Sequence, residues 1–258
     1  MSPLISPVVL TFNEAPNLER TLVALSWARE VVVLDSGSTD DTLAIARSFH
    51  NVRIVEQPFE DFASQFAAGA AACHTDWVLA LDADHVVSRD LAAELQRWQP
   101  VAGIHAYLGP FRYCIEGREL RASLYPARIV LFDRTRCHFT QDGHHQVLQH
   151  SGDVGWLRGP IFHDDRKPLA RWLSDQDRYA RMEAQKLSTV PAAALTWPDR
   201  CRCLIVIAPA LVFLGTLFAK GVILDGWHGW FYACQRTVAE LILSLRLVEA
   251  RFADRGRR

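Results

Sequence analysis

The sequence of 258 residues has no surplus of either charge: 28 Lys and Arg stand against 29 Asp and Glu, for a net charge of −1. That balance excludes a global attraction to nucleic acid, so any basic attraction must be local. Six cysteines (Cys73, Cys114, Cys137, Cys201, Cys203 and Cys234) include no C-x-x-C pair and no metal-type spacing. Buried or interfacial thiols are the main reading, with Cys201-x-Cys203 as a redox or palmitoylation alternative. Met1–Pro7 lacks the basic start of a secretory leader, so a reduced cytoplasmic setting is expected. Repeats and low-complexity stretches are missing, as is a glycine- and basic-rich triphosphate loop near the start. The apolar run Leu204–Ala219 has 16 residues and is interrupted by Pro209 and Gly215. That is short of the roughly 20 that a membrane-spanning helix needs.

What is present is a strongly apolar chain, 50% hydrophobic, enough for one sizeable α/β core with a small appendage. Val8–Thr11, Glu30–Asp35, Val52–Val55 and Trp77–Leu81 read as short buried strands. Between them lie helical stretches at Leu18–Ala28, Asp41–Phe49 and Phe62–Cys73. Strands alternating with single helices predict right-handed βαβ units and a mostly parallel sheet with helices on both faces. Ligands of such sheets bind beyond the carboxyl ends of the strands, where Thr11, Asp35 and Asp82 fall. Asp82 and Asp84 end the fourth strand, separated by one small residue. In an extended chain i and i+2 project to the same side, so both carboxylates can aim at one point. Two hard oxygen ligands there suit Mg2+ or Mn2+ carrying a diphosphate; an ordinary solvated loop pair is the bland alternative.

From Gly103 to Phe162 the pattern loosens to short strands such as Arg128–Phe132 among Gly, Arg, His and aromatic residues, and an irregular acceptor-side region is expected. Asp164–Leu187 reads as a helix. Beyond Pro198 come the apolar run, then Trp227, Trp230, Phe231 and Tyr232, then a helix over about Ala233–Phe252 with Val238, Leu241, Ile242, Leu245 and Val248 on one face. Three readings stay open for this block: helices packed on the sheet, helices lying in a membrane surface, and a full span. The expected division is a catalytic domain over 1–198, with a nucleotide-sugar half at 1–100 and an acceptor and metal half at 101–198. An apolar, membrane-associated helical region follows over 199–258.

Thr11-Phe12-Asn13-Glu14, then Val33-Leu34-Asp35-Ser36-Gly37-Ser38-Thr39-Asp40-Asp41-Thr42, then Leu81-Asp82-Ala83-Asp84, in that order, resemble glycosyltransferase family 2. Ile223-Leu224-Asp225-Gly226-Trp227 and the helix after it are similar to bacterial members that build lipopolysaccharide core or other surface glycans. A looser likeness runs through Tyr125-Pro126, His163 and Tyr179-Ala180. The resemblance implies a GT-A fold, a nucleotide-activated sugar donor (UDP-sugar foremost), Mn2+ or Mg2+, and inversion at the anomeric carbon. By the same resemblance Thr11, Asn13, Glu14 and Asp35 would contact base and ribose, and Ser36 and Gly37 would let the backbone come close. Asp82 would face the ribose side, Asp84 would ligate the metal, and His163 would be a second ligand. Arg166, with Lys167, could neutralise the diphosphate, although a charged helix start explains the cluster as well.

Direct displacement also needs a base for the acceptor hydroxyl. Many relatives place a His-Glu pair in this region, whereas this chain reads Gln141-Asp142-Gly143-His144-His145-Gln146, with an amide where the glutamate would fall. Asp142 is the first choice as base and His144 the second. Phe66 stands where close relatives have arginine, and His85 where Glu is common. The expected function is transfer of a sugar to a lipid-linked or lipopolysaccharide-type acceptor at the inner face of the cytoplasmic membrane. The alternatives are a catalytically silent sugar-nucleotide-binding or scaffold protein, or a nucleotidyltransferase. The sequence is silent on oligomeric state.

Overall fold

The structure, a computed structural model, describes residues 4–142 and 145–255, and the side chains of all of these except 141–142, 145–146, 192 and 253–255. The expected alternation is present from the start: β1 (Ile5–Thr11), α1 (Ala15–Ala24), β2 (Val31–Asp35), α2 (Thr42–Arg47), β3 (Val52–Glu56), α3 (Phe62–Ala72) and β4 (Trp77–Asp82). The observed ends lie within a few residues of those read from the sequence. After a turn come β5 (His85–Val87), α4 (Arg89–Arg97), β6 (Ile104–Gly109), β7 (Phe111–Ile115), β8 (Arg118–Glu119) and β9 (Arg128–Asp133). Then follow β10 (Cys137–Asp142), β11 (His145–His150), β12 (Asp153–Trp156), β13 (Ile161–His163), α5 (Leu169–Thr189), α6 (Trp197–Arg202), α7 (Ala208–Leu214) and α8 (Trp227–Arg255).

The main sheet has seven strands in the order β12-β6-β9-β4-β1-β2-β3. Its β4–β1, β1–β2, β2–β3 and β12–β6 pairs are parallel, and β9 runs antiparallel to both β4 and β6. The predicted α/β class with a mostly parallel sheet is therefore what forms. Continuous apolar runs such as Val31–Leu34 give strands buried on both faces, and all four of these residues are fully buried. Each such side chain contributes about 1.5–3 kcal/mol when taken from water. Helix α1 presents Leu18 and Leu22, one turn apart, to the core. Helix α3 starts at Asp61, whose carboxylate accepts from Ser64 N–H. It lies close on β1: a Cβ at Gly69 would stand 2.5 Å from Val8 Cγ1. The thiols of Cys73 and Cys114 are buried, and burial pushes each up to about 12.

Two expectations need correction. The strand read at Arg128–Phe132 is β9, but the described part of 103–162 is more regular than expected; β6, β9 and β12 extend the main sheet, and β7 and β13 join β5 and β8 in a second sheet of order β5-β13-β7-β8. These strands are short and find their partners far away in sequence, so no local period announces them. Helix α5 begins at Leu169 rather than Asp164. Pro168 disfavours helical backbone in the residue before it, and Asp164, Asp165 and Arg166 are hydrogen-bonded to α1 residues instead.

The described residues divide into two compact units. One holds the residues up to Glu119 with Tyr125–Gln141 and His145–Arg166; the other holds Leu120–Leu124 and the residues from Lys167 on. In the second unit, Ala180, Ala184 and Leu187 of α5 pack with Ile205 and with Leu243 and Leu247 of α8. The apolar run becomes α7, with Pro209 in its first turn, continued by one π-helical segment at Gly215–Ala219. No helix among the described residues is long and apolar enough to cross a membrane.

Candidate functional site

Register fixes the first wall of the site. Thr11 pairs with Asp35 and Leu10 with Asp82, so the carboxyl ends of β2, β1 and β4 stand side by side. Asp35 is fully buried. Its Oδ1 accepts from the Thr11 and Ser38 hydroxyls (2.9 and 2.5 Å), and its Oδ2 from Gly37 N–H and Ser38 N–H (2.9 and 2.8 Å). An ionised carboxylate has about four acceptor positions, and here all are taken by the chain. The resemblance implied that Asp35 would meet base or ribose; in this conformation the carboxylate shapes the loop beside it. Ser36 N–H donates to Thr11 C=O at 3.0 Å. Gly37 sits at φ +91°, a left-handed conformation that disfavours any side chain.

Asn13 continues that loop at φ +56°, in the left-handed region. Its Oδ1 accepts from Thr39 N–H at 2.7 Å, and its own N–H donates to Ser38 Oγ at 2.8 Å. The backbone N–H of Glu14 donates to Thr42 Oγ1, its carbonyl starts α1, and its Oε2 accepts from Asn17 Nδ2. Thr11, Asn13, Glu14, Asp35, Ser36 and Gly37 are thus brought together as one hydrogen-bonded loop pair.

The second wall is the cluster beyond β4. The turn Asp82-Ala83-Asp84 leads into β5, where His85 pairs across to His163 of β13, which in turn pairs with Tyr113 of β7. His163 Nε2 lies 3.1 Å from Asp84 Oδ2. Asp84, His85 and His163 each offer a ligand atom within 4.8 Å of the others. The Asp84 side chain is 11% exposed and that of Asp82 35%, so Asp84 is the inner carboxylate and Asp82 the outer one. Tyr125 and Tyr113 pack on His163, each with ring centroids 4.6 Å away, and the Arg128 guanidinium lies 4.4 Å over the Tyr125 ring. Burial lowers the His85 pKa, a shift opposed by Asp82 and Asp84, and burial raises that of Tyr125.

Oxygen and imidazole donors at this spacing suit a hard divalent ion such as Mn2+ or Mg2+. The buried Nδ1 of His163 has no hydrogen-bond partner among the described residues, and Nε2 is the ring atom turned to Asp84. Asp84 and His163 therefore fit a metal.

Arg166 is placed differently. Its guanidinium and that of Arg20 both hold Asp164, and its N–H donates to Asn17 Oδ1. Asp164 N–H donates to the carbonyl of Asp84 at 3.0 Å, so this ion-pair cluster buttresses the turn, with Arg166 bound to Asp164 through Nε and Nη2. Phe66 is buried and stacks on Phe139 at 5.4 Å. Asp142 ends β10 but its side chain lies outside the description, and His144 lies outside the described residues. Tyr113, Arg20 and Arg128 were not singled out from sequence, and Tyr125 only as part of a loose likeness. Cross-strand register, which no local pattern carries, brings Tyr113 to the cluster, and Tyr125 reaches it from the segment between β8 and β9.

Comparison with known proteins adds the following. The family profile described as Glycosyl transferase family 2 matches residues 6–151. An "Uncharacterized glycosyltransferase" of Rickettsia bellii is 37% identical over 93 residues, covering 36% of this chain and 31% of that protein. The chain thus spans about a third of the length of such relatives. The "Lipopolysaccharide core biosynthesis glycosyltransferase LpsC" of Rhizobium meliloti is 21% identical over 260 residues, covering 95% of this chain and 92% of LpsC. Among solved structures, Staphylococcus aureus TarS 1-349 in complex with UDP-GlcNAc is 14% identical, with a TM-score of 0.47, over 97% of this chain and 91% of that one. At that score the likeness adds nothing to the functional reading.

Proposed function

The chain belongs to glycosyl transferase family 2, and from that premise we propose that it is an inverting, metal-dependent glycosyltransferase. It would move a sugar from a nucleotide diphosphate donor, with UDP as the carrier, to a hydroxyl of a lipid-linked or lipopolysaccharide-type acceptor. The observation that carries the proposal is the cluster in which Asp84 meets His163 at 3.1 Å, at the carboxyl end of a strand beside the Thr11–Asp35 loop. Asp84 and His163 would hold Mn2+ or Mg2+, which supplies a Lewis acid against the charge that grows on the leaving diphosphate. Asp82, the more open carboxylate, would face the ribose. The loop of residues 11–14 and 35–39 would orient the nucleoside with backbone groups and hydroxyls. Asp142 would take the acceptor proton, with His144 as the second candidate. The acceptor class is supported by the likeness to LpsC, a lipopolysaccharide core biosynthesis glycosyltransferase.

A thermal-shift screen of nucleotide sugars, with and without Mn2+, tests this reading. One UDP-sugar is expected to raise the melting temperature by several degrees only when Mn2+ is present, as about 100-fold excess over Kd adds about 2.7 kcal/mol. A shift without donor hydrolysis or transfer, or no shift with any nucleotide sugar, would support the catalytically silent sugar-nucleotide-binding or scaffold alternative; a shift with nucleoside triphosphates alone would support a nucleotidyltransferase.

We also place the acceptor at a membrane surface. Val206 and Trp227 are each 86% exposed and Leu224 67%, and Phe218, Ile207 and Leu214 are more than half exposed as well. Large exposed apolar side chains in one segment, beside Lys220, suit an element lying in the headgroup region. The double variant Val206→Asp, Trp227→Ser is expected to reduce co-sedimentation with anionic vesicles by about tenfold or more while leaving the helical circular dichroism unchanged. Undiminished vesicle binding would count against the surface assignment.

A further inference from the structure

His85 lies among the ligand atoms of the cluster, yet its hydrogen bonding is not that of a ligand. The backbone N–H of Asp82 points at His85 Nδ1 from 3.0 Å. A backbone amide can only donate, so Nδ1 must present its lone pair, and the ring proton of a neutral imidazole then sits on Nε2. Nε2 is the atom facing the cluster: it lies 3.3 Å from the Tyr125 hydroxyl, 3.6 Å from Asp82 Oδ2 and 3.7 Å from Asp84 Oδ1. A protonated nitrogen has no lone pair for a metal.

We propose that His85 is a positioning residue that presents a neutral N–H to the middle of the Asp82–Asp84–Tyr125 triangle, leaving Asp84 and His163 as the metal ligands. This rests on the metal-dependent reading above and says which side chains of the cluster hold the ion. The tyrosine oxygen is the hydrogen-bond acceptor, and the two carboxylates stand just beyond hydrogen-bond range, where the attraction is electrostatic. The bond to Tyr125 also sets the position of a ring that packs on His163, and the His85 ring itself stands edge-on to His163 at 5.2 Å. His85 thus touches the surroundings of both ligands. A neutral donor keeps the four side chains Asp82, Asp84, His85 and His163 at a formal charge of −2, which one divalent cation balances. A carboxylate at position 85 would add a third negative charge.

Two measurements decide it. In the metal-free protein, nitrogen-15 NMR of the His85 ring is expected to show the proton on Nε2; a proton on Nδ1 overturns the proposal. With Mn2+ bound, electron spin-echo spectroscopy is expected to show one directly coordinated histidine nitrogen, lost in His163→Gln and retained in His85→Gln. Two coordinated nitrogens, or loss of the signal in His85→Gln, overturns it. Removing an outer-shell partner of a ligand weakens metal binding about 10- to 100-fold, the loss expected of His85→Leu. His85→Gln, which can return an N–H to the same place, is expected to stay within about threefold of the wild type. If Mn2+ does not bind the wild-type protein at all, the metal-dependent function fails, and the NMR measurement still decides the state of His85.

Discussion

Asp84→Ala is expected to abolish Mn2+-dependent binding of the donor and to lower kcat/KM by about 10³-fold or more, the scale of the several kcal/mol a metal supplies at a leaving group. Asp84 is the inner carboxylate, 3.1 Å from His163 Nε2, so the substitution removes one of the two proposed ligands and the hydrogen-bond partner of the other. The fold should survive. The contacts that hold the turn use backbone atoms of this segment: the carbonyl of Asp84 accepts from Asp164 N–H and that of Ala83 from the Thr21 hydroxyl. Loss of one side-chain hydrogen bond to a charged group costs about 1.5–3 kcal/mol, partly offset because Asp82 loses a neighbouring like charge. Titration calorimetry with UDP, with and without Mn2+, checks the binding, and a melting curve of the metal-free variant checks the fold. Undiminished Mn2+-dependent affinity refutes the ligand assignment.

The second large effect falls on stability. Asp35→Ala is expected to lower the melting temperature by roughly 6–12 °C, from a loss of about 3 kcal/mol and the usual 2–4 °C per kcal/mol for a chain of this size. The carboxylate is fully buried and accepts from two hydroxyls and two backbone amides. Removing it takes the acceptor from four donors, of which the Thr11 hydroxyl has another within reach, the Leu34 carbonyl at 3.3 Å. Nucleotide affinity should fall with it, because Ser38 ties Asp35 to Asn13 and so joins the two halves of the loop. Asp35→Asn separates shaping from contact. The amide keeps the volume and one acceptor oxygen but turns a donor toward the amides or hydroxyls it should accept from, so about half of the destabilisation is expected. If Asp35→Ala weakens nucleotide binding without lowering the melting temperature, the carboxylate acts on the ligand directly and the loop-shaping role is wrong.

These two carboxylates also mark how far the sequence could be read. The first 82 residues were legible because their strands are uninterrupted apolar runs separated by turn-type residues, signals that act over a few residues, although of α1, α2 and α3 only α3 has a side-chain cap. Asp35 and Asp84 were found for that reason, each at the end of such a run. The same local signals could not show that Asp35 already has four donors, because Thr11 and Ser38 reach it through the loop and the β1–β2 register. The second half of the site was legible only through resemblance. His163 meets Asp84 because β13 inserts between β5 and β7, a pairing across nearly eighty residues that leaves no local period. The charged run from Asp164 to Lys167 looked like a helix start, yet Asp164 pairs with Arg20 on α1, and Asp165 and the Arg166 N–H are hydrogen-bonded to Asn17 of the same helix. Pro168 was the available sign that the helix begins later.

The most direct test is nucleotide release from UDP-sugars by the wild-type protein and by Asp84→Asn, each with Mn2+ and with excess chelator. The expected result is release by the wild-type protein that stops with chelator and is reduced by about 10²-fold or more in Asp84→Asn. Release that persists in chelator and is equal in the two proteins would contradict the assignment of Asp84 and His163 as the metal-holding centre of a glycosyl transfer site.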